Sequence, residues 1–408
     1  MENVPGRVIA GLDVGSSKVA TVVARTGPEG LEILGVGQAE TDGMRKGAVV
    51  NVEATVNSIR QSVGEAEKMT GIPISSVFAG VSGPLIKSFN SHAAISVRNE
   101  REVTEVDVAR VLELAKAVEL PNDREVLHVL TQEFIVDDMG GIKDPRGMTG
   151  IRLDARVHVV TDDVPGTRNL VKCVETAELS IDDIALSPLA SANAVLTPEE
   201  KEVGVVLLDF GAGTVEMAVF YDGALRHTFV LPLGGANITS DVAVGLKVPL
   251  ADAEALKIAS GCAMIQKVRR DELVELPGVG GRQPRPIRRQ YLSEIIEPRA
   301  EEIFGLLRKE VLRSGFEEML GAGVVLTGGG SLLDGLPELG ERVFQLPVRR
   351  GAPIGVGGLV EVVGSPVYAT AVGLAIYGST MAEVLVAREA AADAGWVDRI
   401  KRFLADIF

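Results

Sequence analysis

Two stretches of this chain repeat one pattern. Arg7 to Val23 runs as an apolar strand into Asp13-Val14-Gly15-Ser16-Ser17-Lys18 and then into an alternating strand. Roughly two hundred residues later, Gly204 to Phe220 does the same through Asp209-Phe210-Gly211-Ala212-Gly213-Thr214. Each copy reads as a β-hairpin whose turn carries glycine where the backbone must come close to something. The interval between copies is far too long for a solenoid repeat, which recurs every 20–50 residues or so. It requires two similar domains, each opening with the same hairpin.

The turns have a definite chemistry. Glycine removes side chains, so backbone N–H groups and a Ser or Thr hydroxyl can face a phosphate. An Asp at the strand end can hold a magnesium ion, usually through water. One such turn is often a plain tight hairpin. Two of them, facing each other across a cleft, can clamp a triphosphate from both sides. A third motif follows: the apolar run Gly323 to Thr327 enters Gly328-Gly329-Gly330-Ser331, which lets the backbone approach a flat ring or a ribose and aims a helix start at the ligand.

The 408 residues allow two to four domains with ample core. A net charge of −15 argues against a nucleic-acid partner. Mean hydropathy is high, at +0.23. The uncharged stretch Val362 to Gly378 is nevertheless short for a span and holds Pro366 and three glycines, so it reads as a buried helix with its lead-in. No signal-peptide pattern opens the chain. Cys173 and Cys262 give no disulfide framework, and His92, His128, His158 and His227 are too scattered for a metal cluster. A cytoplasmic, reducing compartment is expected, with Asn237-Ile238-Thr239 a chance glycosylation sequon.

The last thirteen residues form an amphipathic pattern. At about 100° per residue, Trp396, Val397, Ile400, Phe403, Leu404, Ile407 and Phe408 share one arc of roughly 140°, and Asp398, Arg399, Lys401, Arg402 and Asp406 take the rest. Such a helix, about 20 Å long, is too short to span a bilayer and suits its interface. The alternative is a terminal helix docked on its own domain. Its charge is near balance, so lipid affinity must come from apolar burial, and one copy should bind weakly where several linked copies bind firmly.

The three glycine motifs, in this order, resemble those of the actin and heat-shock-chaperone ATPase superfamily: first phosphate loop, second phosphate loop and adenosine loop. With the tail, and with Leu231 to Thr239, Ala253 to Lys257, Gly280 to Arg285 and Ile296 to Arg299, the chain resembles the bacterial cell-division family FtsA. The resemblance implies an α/β, actin-like two-domain ATPase fold of duplicated ribonuclease-H-like domains, with an inserted subdomain in each half and a C-terminal amphipathic helix. The expected division is a first core at 1–84 and 163–197 (IA) with an insertion at 85–162 (IC). A second core at 198–239 and 303–380 (IIA) holds an insertion at 240–302 (IIB), before a linker at 381–395 and the membrane helix at 396–408. ATP and Mg2+ are the implied cofactors. Gly15, Ser16, Ser17 and Lys18 would hold the phosphates from one side, and Gly211, Ala212, Gly213 and Thr214 from the other. Asp13 and Asp209 would position magnesium and water. Gly234, Gly235 and Asn237 would line the ribose-phosphate side, Glu254 and Lys257 would reach adenine and ribose, and Gly328, Gly329, Gly330 and Ser331 would complete the adenosine pocket. Glu254 and Lys257, three apart on a helix, can also be read as a surface ion pair.

One departure concerns hydrolysis. Related ATPases carry Glu or Gln just before the connecting helix to orient the attacking water. The stretch Leu186 to Ser191 aligns Ser187 there, a poor group for that task. Tight ATP binding with slow turnover is expected, with ATP acting mainly as an assembly ligand. The second insertion carries Arg282, Arg285, Arg288, Arg289 and Arg299. On an acidic chain this suggests an acidic partner; by resemblance it is the C-terminal peptide of FtsZ, contacted by Arg285, Arg299 and Glu302. A solvated loop balanced by nearby Glu residues is the other reading. The resemblance further implies self-assembly into filaments, other division proteins docking on the first insertion, and a lipid surface at the cytoplasmic face of the inner membrane, at the septum. A small-molecule kinase, a chaperone ATPase, and a cell-shape or pilus-assembly relative are the competing readings.

Overall fold

A computed structural model of the chain describes residues 6–28, 30–97, 102–278 and 283–389, with side chains described as far as 381. The first half opens with β1 (Val8–Val14), β2 (Lys18–Gly27) and β3 (Gly30–Glu40), an antiparallel meander. A small hairpin of β4 (Met44–Arg45) and β5 (Ala48–Val49) leads to α1 (Val52–Thr70) and β6 (Ser76–Val81). Asn51 starts α1 by accepting a hydrogen bond from Ala54 N at 3.1 Å, and Gly71 ends it in the left-handed region at φ 68°. The first insertion follows as β7 (Lys87–Ser96), α2 (Glu105–Lys116), β8 (Arg124–Val136), β9 (Met139–Ile142) and β10 (Arg152–Asp163). The chain returns with α3 (Val164–Thr176), β11 (Ser180–Leu186) and α4 (Ser187–Val195).

The second half repeats the plan. After α5 (Pro198–Val203) come β12 (Val205–Phe210), β13 (Val215–Tyr221) and β14 (Ala224–Leu231), again an antiparallel meander, then α6 (Gly235–Leu246). An insertion holds α7 (Leu250–Ser260), β15 (Leu273–Leu276) and β16 (Arg285–Arg288) and passes into α8 (Arg289–Ser314). The core resumes with β17 (Gly323–Thr327), α9 (Leu336–Phe344) and β18 (Val348–Arg350). Finally β19 (Val356–Gly358), α10 (Val360–Val363) and α11 (Ala369–Glu389) cross back to the first half.

The two main sheets have one topology. The first runs β11-β6-β1-β2-β3-β19 and the second β18-β17-β12-β13-β14. In each, the strand after the meander lies parallel beside its first strand: β6 on β1, and β17 on β12. This is the duplicated α/β architecture that the repeated hairpins require. The central strands are apolar runs buried on both faces, as strands between helix layers must be; β12 is buried at all six positions. The first insertion folds separately as the sheet β7-β10-β8-β9, with α2 packed over a core that includes Val111, Leu112, Phe134 and Leu153.

The halves are joined by α4 and α11, which lie against each other so closely that a Cβ at Gly373 would fall 1.9 Å from the Ala190 carbonyl oxygen. The uncharged stretch from Val362 is this joint: Ala371, Val372, Leu374 and Ala375 are fully buried. Among the described residues no helix is long and apolar enough to cross a membrane. Three expected boundaries fall inside helices. Residue 240 lies in α6 and residue 302 in α8, which carry core and insertion in one continuous rod. The linker expected from 381 is still α11 as far as Glu389, because that stretch is built of strong helix formers with no Gly or Pro. The expected membrane helix, with Trp396 to Phe408, lies outside the described residues.

Candidate functional site

The turns of the two hairpins meet across a cavity of about 430 Å3. It is lined by Asp13, Gly15, Ser16, Ser17 and Lys18 from the first turn, and by Asp209, Gly211, Ala212, Gly213 and Thr214 from the second. Gly235, Glu254, Lys257, Gly328, Gly329 and Gly330 form the far wall. The volume is in the range of small-ligand and cofactor pockets.

Close backbone approach fixes the glycines. A Cβ at Gly213 would lie 2.6 Å from Ser16 Oγ and 2.9 Å from Lys46 N. That third wall comes from the β4–β5 turn, where Lys46 and Gly47 both have positive φ, and Gly47 N donates to Ser16 Oγ at 2.9 Å. Gly328 sits at φ 77°, and a Cβ there would meet Asp209 Oδ1 at 2.3 Å. Backbone therefore lines much of the cavity, which is what an anion cradle needs.

The charged groups are buried against one another. Burial, and then Asp209, push the Asp13 carboxyl up to about 6, while Lys18 draws it down. Burial lowers Lys18 to about 8 against the pull of Asp13 and Asp209. Its Nζ donates to the Val367 carbonyl at 2.5 Å and stands 4.6 Å from the centre of the Tyr368 ring. Asp209 is raised by burial, opposed by two hydroxyls from the joint helices: Ser191 Oγ at 2.5 Å and Thr370 Oγ1 at 3.1 Å, both donating to Oδ2. Among the described residues no group of three His, Cys, Asp or Glu side chains is placed to hold a metal ion directly. Asp13 and Asp209 both face the cavity, near enough for each other's charge to be felt.

Several expected site residues stand behind the wall. Asn237 Oδ1 accepts from Gly234 N at 3.0 Å and so caps α6. Ser331 Oγ donates to the Gly328 carbonyl at 2.7 Å, buried. Glu254 and Lys257 do line the cavity, and they are also an ion pair at 2.7 Å, with Lys257 Nζ reaching Gly235 O and Thr239 Oγ1. Ser187 lines the cavity, but its hydroxyl donates to Val81 O at 3.0 Å. In the second insertion Arg299 is held by Asp241 in a two-pronged contact at 2.6 and 3.2 Å and by Glu302. Arg289 pairs with Glu272 and Asp334, so the basic cluster is partly neutralised; Arg285 is exposed on β16, and Arg282 lies outside the described residues.

Sequence reading missed Ser82, Ser191, Thr370 and above all Glu216. Glu216 lines the cavity from β13 and is buried, with Ser82 Oγ donating to its Oε1 from the first half. Burial and Asp209 push its carboxyl up to about 8. A signal was present: Glu216 is the lone charge in the apolar strand Val215 to Phe220.

Comparison with known proteins adds the following. A family model described as "Cell division protein FtsA" matches residues 206–373, and one described as "SHS2 domain inserted in FTSA" matches residues 83–161. A Pseudomonas aeruginosa protein named cell division protein FtsA is 46% identical over 374 residues, covering 91% of this chain and 89% of that protein. An Escherichia coli K12 protein of the same name is 40% identical over 414 residues, covering 98% of each. Among solved structures, the PilM–PilN type IV pilus biogenesis complex aligns at TM-score 0.66 and 18% identity, over 92% of this chain and 99% of that one. MreB5 of Spiroplasma citri bound to ADP aligns at TM-score 0.56 and 12% identity, over 95% and 99%. At such identities the structural likeness speaks for the fold alone, and that fold is the actin-like two-domain ATPase fold.

Proposed function

This chain belongs to the FtsA family of cell-division proteins, and from that premise we propose that it binds ATP with magnesium between its two hairpins, assembles with its own copies on the cytoplasmic face of the inner membrane, and ties FtsZ to that surface. One observation carries the nucleotide part: two hairpins of one topology turn their glycine-rich loops and one aspartate each into a single cavity. Backbone N–H groups would hold phosphate oxygens from both sides, Lys18 would add a cation, and Asp13 and Asp209 would hold waters of the magnesium shell. Gly235, Glu254, Lys257 and the Gly328–Gly330 turn would face the nucleoside. The magnesium neutralises phosphate charge when bound; the chain's own part is to position.

Assembly and anchoring follow from the same cleft. ATP bridging both halves favours the closed arrangement, and a closed molecule presents one fixed surface to the next copy. The tail from Trp396 to Phe408, including Arg399 and Lys401 at its polar border, would then bind lipid by avidity. The FtsZ peptide would meet the second insertion at Arg285, Arg299 and Glu302; because Asp241 and Glu302 already hold Arg299, an acidic peptide must compete with them. Other division proteins would dock on the first insertion. Turnover is slow and ATP serves mainly assembly. Family membership leaves the kinase, chaperone and cell-shape readings without support.

Pelleting with anionic liposomes tests the proposal, using the full chain and a version ending at Ala394, with and without ATP. Tail-dependent pelleting that ATP strengthens is the expected result. Equal pelleting of both versions, or of neither, would count against it.

A further inference from the structure

We propose that Glu216 orients the attacking water when ATP is hydrolysed in this cleft, the task that Ser187 cannot perform; the inference rests on the ATP-binding reading above. Ser187 stands where an orienting group is expected, yet its hydroxyl is committed to the Val81 carbonyl. Glu216 stands directly across the hairpin from Asp209, its register partner on β12, and lines the same cavity.

The two oxygens of Glu216 differ. Oε1 accepts from Ser82 and, at 3.3 Å, from Thr214 Oγ1. Oε2 is buried and has no hydrogen-bond partner among the described residues. A buried polar atom without a partner is costly, and a water or ligand in the cavity is the normal way to satisfy it. Glu216 is thus a carboxyl fixed at one oxygen by hydroxyls from both halves, with the other oxygen free for a water. Because Ser82 follows β6 in the first half and Glu216 belongs to the second, this arrangement exists only when the two halves are together.

The duplication shows that the hairpin itself does not need this charge. The equivalent place on β2 is Ala20, register partner of Asp13 and fully buried. The fold works with a methyl group there, so the carboxyl on β13 has another use.

In the step itself, the water oxygen bonds to the γ-phosphorus while the bond from phosphorus to the β,γ-bridging oxygen breaks. ADP leaves with that oxygen. One water proton stays on the new phosphate hydroxyl and the other passes to bulk water. Glu216 supplies direction: Oε2 accepts a hydrogen bond from the water and points its lone pair at phosphorus.

The test uses the full-length protein in three forms: wild type, Glu216→Ala and Glu216→Gln. ATP affinity is followed with a fluorescent ATP analogue, and phosphate release under single-turnover conditions. Glu216→Ala should bind ATP within about threefold of wild type and release phosphate roughly tenfold more slowly or worse. Glu216→Gln, whose amide can still direct a water, should restore most of that loss. Both variants releasing phosphate at the wild-type rate would overturn the inference. So would loss in Glu216→Ala without rescue in Glu216→Gln, or a wild type that binds ATP and never releases phosphate. A wild type that binds no ATP would instead sink the nucleotide reading on which the inference stands.

Discussion

The two hairpins share a backbone and differ in charge. Asp13 and Asp209 occupy the same place, each at the end of the first strand of its meander and each before a glycine turn. Around Asp13 the chain places a cation, Lys18. Around Asp209 it places Thr214 where Lys18 would be, Glu216 where Ala20 would be, and two hydroxyls from the joint helices. The first turn can therefore offer a triphosphate positive charge, while the second offers backbone, hydroxyls and a carboxyl. Duplication supplies a symmetric frame, and a few substitutions give its two faces different chemistry.

The largest effect should come from closing the space between the turns. Gly213→Val would drive a branched side chain into Ser16 and Lys46, and ATP affinity should fall roughly a hundredfold, about 3 kcal/mol by titration. The matching change in the first turn, Ser17→Val, is at an exposed position and should cost only a few-fold; equal losses would break the asymmetry. Next in size is the cation. Lys18→Met should weaken ATP binding on the order of tenfold, about 1.4 kcal/mol, whereas Thr214→Val should cost about threefold in the same assay, the loss of one modest hydrogen bond.

A pH comparison sharpens the electrostatic difference. The folded carboxyl of Glu216 titrates at about 8 against an ordinary 4.5. The folded chain thus keeps a proton that the unfolded chain releases. The stability this gives is complete below pH 4.5 and is lost as pH rises through about 8. Glu216→Gln has no such proton to lose, so without nucleotide its melting temperature should pull ahead of wild type between pH 5 and 8, by on the order of 5 °C. A gap that does not change with pH would contradict the assignment. Ser191→Ala, which removes one of two hydroxyls on Asp209, should cost about 1 kcal/mol of unfolding free energy, read from denaturant unfolding.

The frame was legible because its signals are local and repeated: apolar strands, turns and two matching copies. The glycine loops lining the cavity were legible for the same reason, since backbone approach leaves glycine as a visible mark. What sequence could not supply were side chains brought in from elsewhere. Ser82 follows β6, Ser191 lies on α4 and Thr370 on α11, each an ordinary hydroxyl until folding points it at a carboxylate. Asn237 and Ser331 fail in the opposite sense. Their residue types suit a phosphate or ribose site, yet each satisfies a nearby backbone group, as such side chains do at helix and turn starts. Helix continuity hid the boundaries near residues 240, 302 and 381: α6, α8 and α11 run unbroken across them, and strong helix formers account for this only in the stretch from 381.

Amide hydrogen exchange of the full-length protein, with and without magnesium ATP, tests the two-sided clamp most directly. Peptides covering the turns at 14–18 and 210–214 report each hairpin separately. If the nucleotide is held from both sides, ATP slows exchange in both turns together, and Gly213→Val abolishes both effects. Protection confined to one turn, or unchanged exchange in both, would contradict the account.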